Sequence, residues 1–405
     1  MQTMQHRDIA ELGAPPVCSN EIAQPHPPAP LRVVMISAKS GGGHDGTAQA
    51  LACWIEKTWK GSVAWQCLDV YGGELRILPW LARIRHHTDR FWHAFFAIME
   101  WPWALALARK VLARHLTNRV VRHISAPPDL LVATHFAGAQ ILAQVAARFA
   151  QRPATLIVAT DYRPHRAWFA KADAVIVSAI PGLQRAYRFL PPGPLVIACP
   201  LLPSKPALPP SRQTDHTGRL RVLAVMGAEG TSGTRLCGLL RQLARQPWAS
   251  RLDVQVICGR NSRLAKLLSE SARSWGYSAE GTRDGPTLTV AGFVTDLPER
   301  LASAHLCLLR ASPLVLTEVV AAGVPALAFD WHAHEEANAS LLERWGCGRA
   351  SRSCKEGIQI LESWVRDASA LDAVKAAALR TAQSAFGERE TRKVLGLLQP
   401  RRVTT

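Results

Sequence analysis

The chain has 405 residues, which is too long for one compact core and suits two domains of average size. Apolar residues make up 48% and charged residues 20%, which excludes an intrinsically disordered chain. The 48 Lys and Arg outnumber the 31 Asp and Glu, giving a formal net charge of +17. Nucleic acid, an anionic membrane surface and phosphorylated ligands therefore remain candidate partners.

The nine cysteines are scattered singly and form no C-x-x-C pair. This spacing argues against a disulfide framework or a zinc ribbon and is typical of a reducing cytoplasm. The first residues lack the apolar stretch of a secretory signal. The most apolar long stretch, 91–108, is interrupted by His93, Glu100 and Pro102, so we expect no membrane-spanning helix.

Residues 1–30 are polar and rich in proline, which predicts a disordered tail. Two sets of short apolar runs follow, with helical stretches between the runs. They predict strands at 32–37, 63–68, 130–134, 155–160, 174–178 and 195–198, and then at 221–226, 253–258, 288–291, 305–309 and 325–329. The proline-rich stretch 200–219 between the two sets predicts a linker.

Strands that are apolar throughout are buried on both faces, which indicates parallel sheets flanked by helices. The sequence therefore predicts an α/β protein with two doubly wound, Rossmann-like domains that face a cleft. We expect these domains over 31–199 and 220–385, followed by a C-terminal helix or tail over 386–405. Ligands should bind in the cleft, at the carboxyl ends of the strands.

A triple glycine at 41–43 follows the first predicted strand and precedes a helix. Glycines let the backbone approach an anion, and the helix N-terminus offers N–H groups. Three interpretations remain open for this loop. The spacing to Gly46 and Asp69 fits a dinucleotide fingerprint; the turn brings His44 into the cleft as a base or ligand; or it is a tight turn with a solvated histidine.

Another polar segment follows the predicted strand at 155–160. Thr160 and Asp161 come at its end, and His165 and Trp168 precede the next strand. A carboxylate at the mouth of the cleft can accept a proton or orient a histidine. The alternative is that Asp161 caps the following turn.

In the second set, Gly227 and Gly230 follow the first strand and precede hydroxyl side chains, which indicates a loop that passes close to a phosphate. The stretch HAHEEAN at 332–338 contains metal ligands by type, among them His334 and Glu335. No third well-spaced His or Cys joins them, so hydrogen bonds to sugar hydroxyls are favoured over a metal.

A helix is predicted after the strand at 305–309. Ser312 is its expected N-cap, Pro313 its first residue, and Gly323 ends it. The positive end of such a helix points at the cleft and suits a diphosphate. Glu318 lies in the second turn, where it either contacts a ligand or is a solvated helix residue.

Aromatic and basic residues alternate in the segment 76–123. Nine basic and two acidic residues lie between Arg76 and Arg122. Such a mixture is typical of a helix in an anionic lipid interface. One alternative is stacking on single-stranded nucleic acid, although no nucleic-acid motif accompanies the segment. The other alternative is a buried core with an arginine-rich surface. The predicted membrane-facing residues are Trp80, Arg85, Trp92, Trp101 and Trp103.

Six motifs in order carry a resemblance that extends from about Val33 to Asn338. They are GGGH at 41–44, TDY-x-x-H-x-x-W at 160–168, CP at 199–200, VICGRN at 256–261, VAGF at 290–293, and the helix with Glu318. The set resembles the monogalactosyldiacylglycerol synthase and processive diacylglycerol glucosyltransferase family. That family is related to the peptidoglycan UDP-N-acetylglucosamine transferase.

The resemblance implies a GT-B fold and an inverting, metal-independent transfer of a hexose from a UDP-sugar to a lipid hydroxyl, most simply that of diacylglycerol. It implies no cofactor and no nucleic-acid partner, and a peripheral location on the cytoplasmic face of the inner or plasma membrane. His44 is the implied general base, with Asp161 close by. The implied acceptor-side residues are Gly41, Gly42, Gly43, His165 and Trp168. The implied donor-side residues are Gly227, Gly230, Arg260, Asn261, Phe293, Arg310, Ser312, Glu318, His334 and Glu335.

Two departures from the family pattern concern the donor. At 310–315 relatives tend to read KAGPGT and this chain reads RASPLV, so Leu314 and Val315 add bulk where backbone would approach a phosphate. His334-Glu335 replaces a Gln-Glu pair, which leaves galactose and glucose open. N-acetylglucosamine transfer to another lipid, a NAD-dependent oxidoreductase and a non-catalytic lipid-binding relative remain the alternatives.

Overall fold

The computed structural model describes residues 29–38, 43–72, 97–178, 180–199, 218–228, 230, 233–278, 285–331 and 335–398. Several predicted features lie outside these residues: most of the N-terminal tail, most of the linker, and the site residues Gly41, Gly42, Trp80, Arg85, Trp92 and His334.

The first half of the chain forms a six-stranded parallel sheet. Its strands are β1 (Leu31–Ser37), β2 (Val63–Asp69), β3 (Leu130–Ala133), β4 (Ala154–Ala159), β5 (Ala174–Val177) and β6 (Leu195–Ala198). They are ordered β2-β1-β3-β4-β5-β6. Every strand starts and ends within one residue of its predicted bounds. The central strands β3, β4 and β5 are buried throughout, whereas the edge strand β2 contains Gln66 and Asp69 and has no buried residue.

The second half repeats this arrangement. Its strands are β7 (Leu220–Val225), β8 (Leu252–Ile257), β9 (Thr287–Ala291), β10 (Leu306–Arg310), β11 (Ala326–Asp330) and β12 (Gly348–Ala350). The order is β12-β11-β10-β7-β8-β9, again all parallel. Only β12 was not predicted, because its three residues carry no apolar pattern.

Helices connect the strands of both sheets. In the first half they are α1 (Gly43–Thr58), α2 (Pro102–His123), α3 (Phe136–Ala146) and α4 (Ile180–Phe189), with a short 3₁₀ helix at Arg166–Trp168. In the second half they are α5 (Gly233–Leu243), α6 (Ser262–Trp275), α7 (Leu297–Ser303), α8 (Pro313–Ala321), α9 (Glu336–Arg344), α10 (Cys354–Arg366), α11 (Ala368–Ala382) and α12 (Glu388–Gly396), with a 3₁₀ helix at Ala249–Arg251.

Each sheet separates two apolar cores. On β1, Val34 and Ile36 pack into one core, while Val33 and Met35 pack into the core on the opposite face. The alternation follows from the period of two in a strand, and burial of both faces explains why these strands are apolar throughout. Among the described residues, no helix combines the length and apolar character that crossing a membrane needs.

The C-terminal helix α12 leaves the second half and packs on α1 of the first. Val394 is fully buried in the core that α1 shares with β1, and Phe386 lies edge-on against Trp54 at 6.5 Å between ring centres. The sequence predicted a helix or tail in this region without indicating which sheet it covers.

The two halves also meet at the carboxyl ends of their strands. The Tyr162 hydroxyl contacts Thr317 Oγ1, and Thr317 donates its own hydrogen to the Pro313 carbonyl, so Tyr162 is the donor. The Tyr162 ring lies edge-on against Trp345 at 5.5 Å. These contacts join the loop after β4 to α8 and to the residue that follows α9. The architecture is the predicted pair of doubly wound units.

Candidate active site

The acceptor side of the candidate site lies where the strand order of the first sheet reverses. β1 is flanked by β2 on one side and β3 on the other, and ligands bind at such switch points. His44 follows β1, Thr134 follows β3, and Thr160 and Asp161 follow β4. His44 and Thr160, which are 116 positions apart, therefore reach one place.

The His44 ring is held by the carboxyl end of β3. Its Nδ1 lies 2.7 Å from the Thr134 carbonyl oxygen and 3.2 Å from Thr160 Oγ1. A carbonyl oxygen can only accept, so Nδ1 carries the hydrogen. The lone pair of the neutral ring is consequently on Nε2, the nitrogen that a base would use.

The surroundings of His44 keep the ring uncharged at neutral pH. Burial lowers the pKa of His44 below its usual value of 6.5, and the charge of Asp161 opposes this shift most strongly. The Thr134 carbonyl and Asp45 oppose it less. Burial disfavours the imidazolium, while a nearby carboxylate stabilises it once it forms. A neutral ring beside a carboxylate suits a general base.

Aromatic rings form one wall beside His44. His135 lies edge-on to it at 4.6 Å, and the buried Trp168 lies at 6.1 Å. The Trp168 indole N–H donates to Asp161 Oδ2 at 2.7 Å, which orients the carboxylate. His165 is buried, with its ring edge-on to Phe136 at 4.8 Å. The structure thus brings His44 of the GGGH motif into one cluster with Asp161, His165 and Trp168 of TDY-x-x-H-x-x-W.

Sequence reasoning missed His135, Thr134 and Thr160 as neighbours of His44. His135 is the N-cap of α3, and its Nδ1 accepts the Ala137 N–H at 3.1 Å. Burial, followed by the neighbouring imidazoles His44 and His165, holds the pKa of His135 well below its usual value. The sequence did contain a signal for Thr134 and His135, because this pair directly follows β3, a strand that flanks the switch point.

Asp69, the acidic member of the alternative dinucleotide fingerprint, caps its own turn. Its Oδ1 accepts the Tyr71 N–H at 3.1 Å at the end of β2. Gly46 lies inside α1, and Gly41 lies outside the described residues.

The donor side lies at the corresponding switch point of the second sheet, between β7 and β10. Gly227 and Gly230 form the turn after β7 with φ of +78° and +59°. A Cβ at Gly230 would lie 1.9 Å from the Cys258 carbonyl oxygen, so only glycine fits there. Asn261 supports this turn: its Nδ2 donates to the Gly230 carbonyl at 2.7 Å, and its Oδ1 caps α6 through the Leu264 N–H. Both polar ends of the Asn261 side chain are therefore used within the protein.

Helix α8 begins beside this turn. Ser312 is its N-cap, although its side chain makes no capping bond, and Gly323 with φ +69° follows its end. The Ser312 hydroxyl and Val315 Cγ2 lie 3.9 and 3.8 Å from the place where a Cβ on Gly227 would be. The turn after β7 and the start of α8 therefore lie side by side, and glycine turns and helix N-termini are the kinds of backbone that bind anions.

The side chains of Leu314 and Val315 lie in two different environments. Val315 is buried in the core beneath α8. Leu314 is half-buried, and its Cβ lies 3.8 Å from the position of a Cβ on Gly43, the first residue of α1. Leu314 thus lies between the starts of α1 and α8, the two helices whose N-termini face the cleft.

Arg310, the predicted cation beside the phosphates, is paired with Glu335. Its Nη2 donates to both carboxylate oxygens at 2.9 and 3.0 Å, and the two side chains are 13% and 4% exposed. Glu335 was predicted to contact the sugar, and its described partner is this guanidinium. Glu318 is half-buried in the second turn of α8.

Arg260 and Phe293 form a stacked pair at the ends of β8 and β9. The Arg260 guanidinium lies 4.5 Å from the Phe293 ring centre, and the Phe293 side chain is 53% exposed. An exposed aromatic ring covered on one side by a cation is a flat surface on which a planar base can stack.

Trp101 and Trp103 lie at the start of α2, with 57% and 61% of their surfaces exposed and ring centres 6.2 Å apart. Leu107 and Val111 continue this exposed ridge on the face of α2 opposite α3. The structure therefore places two of the five predicted membrane-facing residues on the surface, and the other three lie outside the described residues.

The family model for monogalactosyldiacylglycerol (MGDG) synthase matches residues 56–180. That stretch contains Thr134, Asp161 and Trp168 of the acceptor side. The chain resembles the MGDG synthase family. The resemblance predicted from the motifs is thereby confirmed.

Two curated relatives of this family extend the match beyond that segment. A probable chloroplastic MGDG synthase from Glycine max is 24% identical over 374 residues, covering 83% of this chain. A processive diacylglycerol beta-glucosyltransferase from Staphylococcus carnosus is 22% identical over 264 residues, covering 61% of this chain. The aligned region spans 65% of the length of the first relative and 62% of the second.

Solved structures show the same fold. The glycosyltransferase SnogD from Streptomyces nogalater has a TM-score of 0.57 at 16% identity, covering 91% of this chain and 99% of its own. LpCGTa in complex with UDP gives the same TM-score, identity and coverage. The predicted GT-B fold, with two Rossmann-like units facing a cleft, is therefore confirmed.

Proposed function

We propose that the protein transfers a hexose from a UDP-sugar to a lipid hydroxyl, that of diacylglycerol, with inversion at the anomeric carbon. The observation that carries this proposal is the hydrogen bond between His44 Nδ1 and the Thr134 carbonyl. It leaves Nε2 as the basic nitrogen of the His44 ring, and the neighbouring Gly43 lies beside Leu314 of α8.

On the acceptor side, the lipid oxygen attacks the anomeric carbon while His44 Nε2 takes its proton. The resulting imidazolium keeps its Nδ1–H bond to Thr134 and lies in the field of Asp161. Asp161 is held by the Trp168 indole, so its charge is already in place when the proton arrives.

On the donor side, the departing UDP gains negative charge on its diphosphate. The turn with Gly227 and the N-terminus of α8 offer backbone dipoles for that charge, and Arg310 supplies a cation next to them. We propose that these groups take up the charge without a metal ion. The Phe293 ring under Arg260 is the proposed surface for the uracil. The solved neighbour LpCGTa holds UDP, which supports a nucleotide in this fold.

The proposed acceptor rests on the activities for which two relatives are named. The soybean relative is a probable MGDG synthase, and the S. carnosus relative is a diacylglycerol beta-glucosyltransferase. Both names contain diacylglycerol and they differ in the sugar. We therefore propose diacylglycerol as acceptor and leave the choice of hexose to the product analysis below.

A diacylglycerol acceptor resides in a membrane, and α2 provides a surface for reaching it. Trp101, Trp103, Leu107 and Val111 form its exposed ridge, flanked by basic residues that include Lys110 and Arg114. Tryptophan beside basic residues is favoured at the headgroup level of a bilayer. We propose peripheral binding on the cytoplasmic face, with this ridge against the lipid.

The test uses full-length protein, vesicles containing diacylglycerol, and UDP-galactose, UDP-glucose or UDP-N-acetylglucosamine in separate reactions, with lipid products identified by mass spectrometry. We expect a hexosyl-diacylglycerol, and a 10²- to 10⁴-fold lower kcat for His44→Ala, about the contribution of a general base. Arg273→Gln changes an exposed residue in the last turn of α6 and should stay within about twofold of the wild type.

Three results would count against the proposal: no lipid product with any donor, full activity of His44→Ala, or binding of NAD in calorimetry without binding of UDP. A product that carries N-acetylglucosamine would replace hexose transfer by the alternative transferase. UDP binding together with intact lipid binding and no product would support a non-catalytic relative.

A further inference from the structure

The loop after β4 directs two neighbouring side chains to opposite halves of the protein. Asp161 lies on the acceptor side, where the Trp168 indole N–H donates to it at 2.7 Å. Tyr162, the next residue, is 1% exposed and belongs to the apolar core of the second half, together with Val315 of α8. A single step along the backbone therefore separates the carboxylate beside His44 from a ring that is buried in the other half.

Two different contacts fix Tyr162 in that core. Its hydroxyl donates to Thr317 Oγ1 in the second turn of α8, and Thr317 donates in turn to the Pro313 carbonyl at 2.8 Å. Its ring lies edge-on against Trp345, the C-cap of α9, at 5.5 Å. A displaced hydroxyl would lose its partner in a place that water does not reach, so these contacts favour one position of the side chain.

The helices that hold Tyr162 also carry proposed donor groups. Pro313 is the first residue of α8, whose N-terminus is the proposed acceptor of diphosphate charge. The helix α9 begins next to Glu335, the partner of Arg310. Tyr162 and the donor groups are thus attached to the same two helices. A shift of α8 must therefore move Tyr162 or break its hydrogen bond to Thr317.

A displacement of Tyr162 is passed through the backbone to Asp161. The charge of Asp161 raises the pKa of His44 against the effect of burial, so it stabilises the imidazolium that forms when His44 takes the proton. Electrostatic stabilisation of this kind depends on a charge that is already in position. A loosened loop after β4 would therefore weaken the support of the base while leaving its hydrogen bond to Thr134 in place.

We infer that Tyr162 is a positioning residue that ties the acceptor-side carboxylate to the donor helix α8, so that proton transfer to His44 depends on where α8 lies. Coupling between two sites needs an element that both of them bias, and the bond between Tyr162 and Thr317 is such an element. The inference rests on the proposed function for the roles of Asp161 and α8, whereas the mechanical link is measurable without any sugar transfer.

The mechanical link is tested by hydrogen exchange of the full chain, followed by mass spectrometry, without donor or lipid. Tyr162→Phe keeps the ring against Trp345 and removes the hydroxyl, and we expect the backbone amides of 160–168 to exchange about 5-fold faster. Tyr277→Phe is the matched control. Tyr277 is also buried, and its hydroxyl donates to the Leu240 carbonyl at 2.9 Å within the second half. This control should leave exchange at 160–168 unchanged.

Kinetics separate a positioning role from a loss of stability. On vesicles that contain diacylglycerol, Tyr162→Phe should lower kcat about 10-fold. The KM for the UDP-sugar should stay within about twofold, because the donor groups remain on α8. The decline of kcat in acidic solution should move to lower pH, since Asp161 then supports the His44 imidazolium less. Tyr277→Phe should change neither kcat nor its pH profile.

Thr317 offers a rescue by a conservative change. Thr317→Val keeps the shape of the side chain and removes the hydroxyl, so it should match Tyr162→Phe in kcat. Thr317→Ser keeps an oxygen for the Tyr162 hydroxyl and should recover most of the activity. The double variant Tyr162→Phe/Thr317→Val should be no slower than either single variant, because both changes remove the same hydrogen bond.

Three results would overturn the inference: wild-type exchange at 160–168 in Tyr162→Phe, an equal effect of Tyr277→Phe, or losses of kcat that multiply in the double variant. The two proposals fail in distinguishable ways. Faster exchange at 160–168 in Tyr162→Phe, without any glycolipid from the wild type, would support the link and contradict sugar transfer. A glycolipid product whose kcat is indifferent to Tyr162→Phe would contradict the positioning role alone.

Discussion

The ion pair between Arg310 and Glu335 gives a quantitative test of the donor side. Glu335→Gln keeps the shape of the side chain and removes the charge that accepts both Nη2 hydrogen bonds. The side chains are 13% and 4% exposed, so water screens the remaining guanidinium little. Removing one partner of a buried ion pair costs about 3–5 kcal/mol, and we expect the free energy of unfolding to fall by that amount.

The assay is urea unfolding followed by tryptophan fluorescence, with and without UDP. Glu270→Gln is the control, because it breaks an exposed pair with Lys266 and should cost about 0.3–0.5 kcal/mol. Arg310→Met/Glu335→Leu removes both charges and should recover most of the lost stability. If the diphosphate meets Arg310, UDP should stabilise Glu335→Gln more than the wild type, because it supplies the missing negative charge.

Two results would refute this reasoning. A loss below about 1 kcal/mol for Glu335→Gln would mean that Arg310 does not depend on this carboxylate. Equal stabilisation of the variant and the wild type by UDP would mean that the diphosphate does not reach the guanidinium.

Three further predictions concern the base, the phosphate turn and the cleft. Because burial lowers the pKa of His44 below 6.5, kcat should be constant above pH 7 and fall only in more acidic solution. Asp161→Asn removes a charge that raises this pKa, so it should move the decline in kcat to lower pH. A decline in kcat centred above pH 6.5 would contradict the assignment of His44 as the base. Asn261→Ala should lower the free energy of unfolding, measured in urea, by about 1–2 kcal/mol, because both the α6 cap and the hydrogen bond to Gly230 are lost. An unchanged midpoint of unfolding would show that the turn at Gly230 is stable without Asn261. Leu314→Gly should tighten UDP binding in calorimetry, because it opens the space between α1 and α8. The same change should cost about 1 kcal/mol of helix stability. Weaker UDP binding would show that Leu314 does not limit the access of UDP to this space.

The sheets were predictable because most strands are short, mainly apolar runs separated by helical or turn-forming segments. The acceptor side followed for the same reason, since strand ends place His44 and Asp161 at one edge of a sheet. Two kinds of feature were not predictable. The Arg310–Glu335 pair joins residues 25 positions apart, and it forms only because the end of β10 meets the start of α9. The short β12 carries no pattern of its own and exists because β11 offers it an edge.

The ring contacts of the candidate site also depend on packing distances that the sequence does not show. His135 could have been suspected from its position after β3, yet its edge-on approach to His44 depends on the lateral spacing of β1 and β3. Likewise, the sequence shows Leu314 as bulk beside a phosphate loop, and only the packing of α1 against α8 shows that it faces Gly43.

The return of α12 to the first sheet has a mechanical consequence. The polypeptide passes between the two halves twice, once between β6 and β7 and once between α11 and α12. Because two chain segments join the halves, one half can rotate against the other only about the line through both segments. The two connections therefore permit rocking about that line and resist separation of the two halves. A fragment that ends before α12 would expose the apolar flank of α1 that Val394 and Leu395 cover, so part of the core of the first half is supplied by the last helix of the chain.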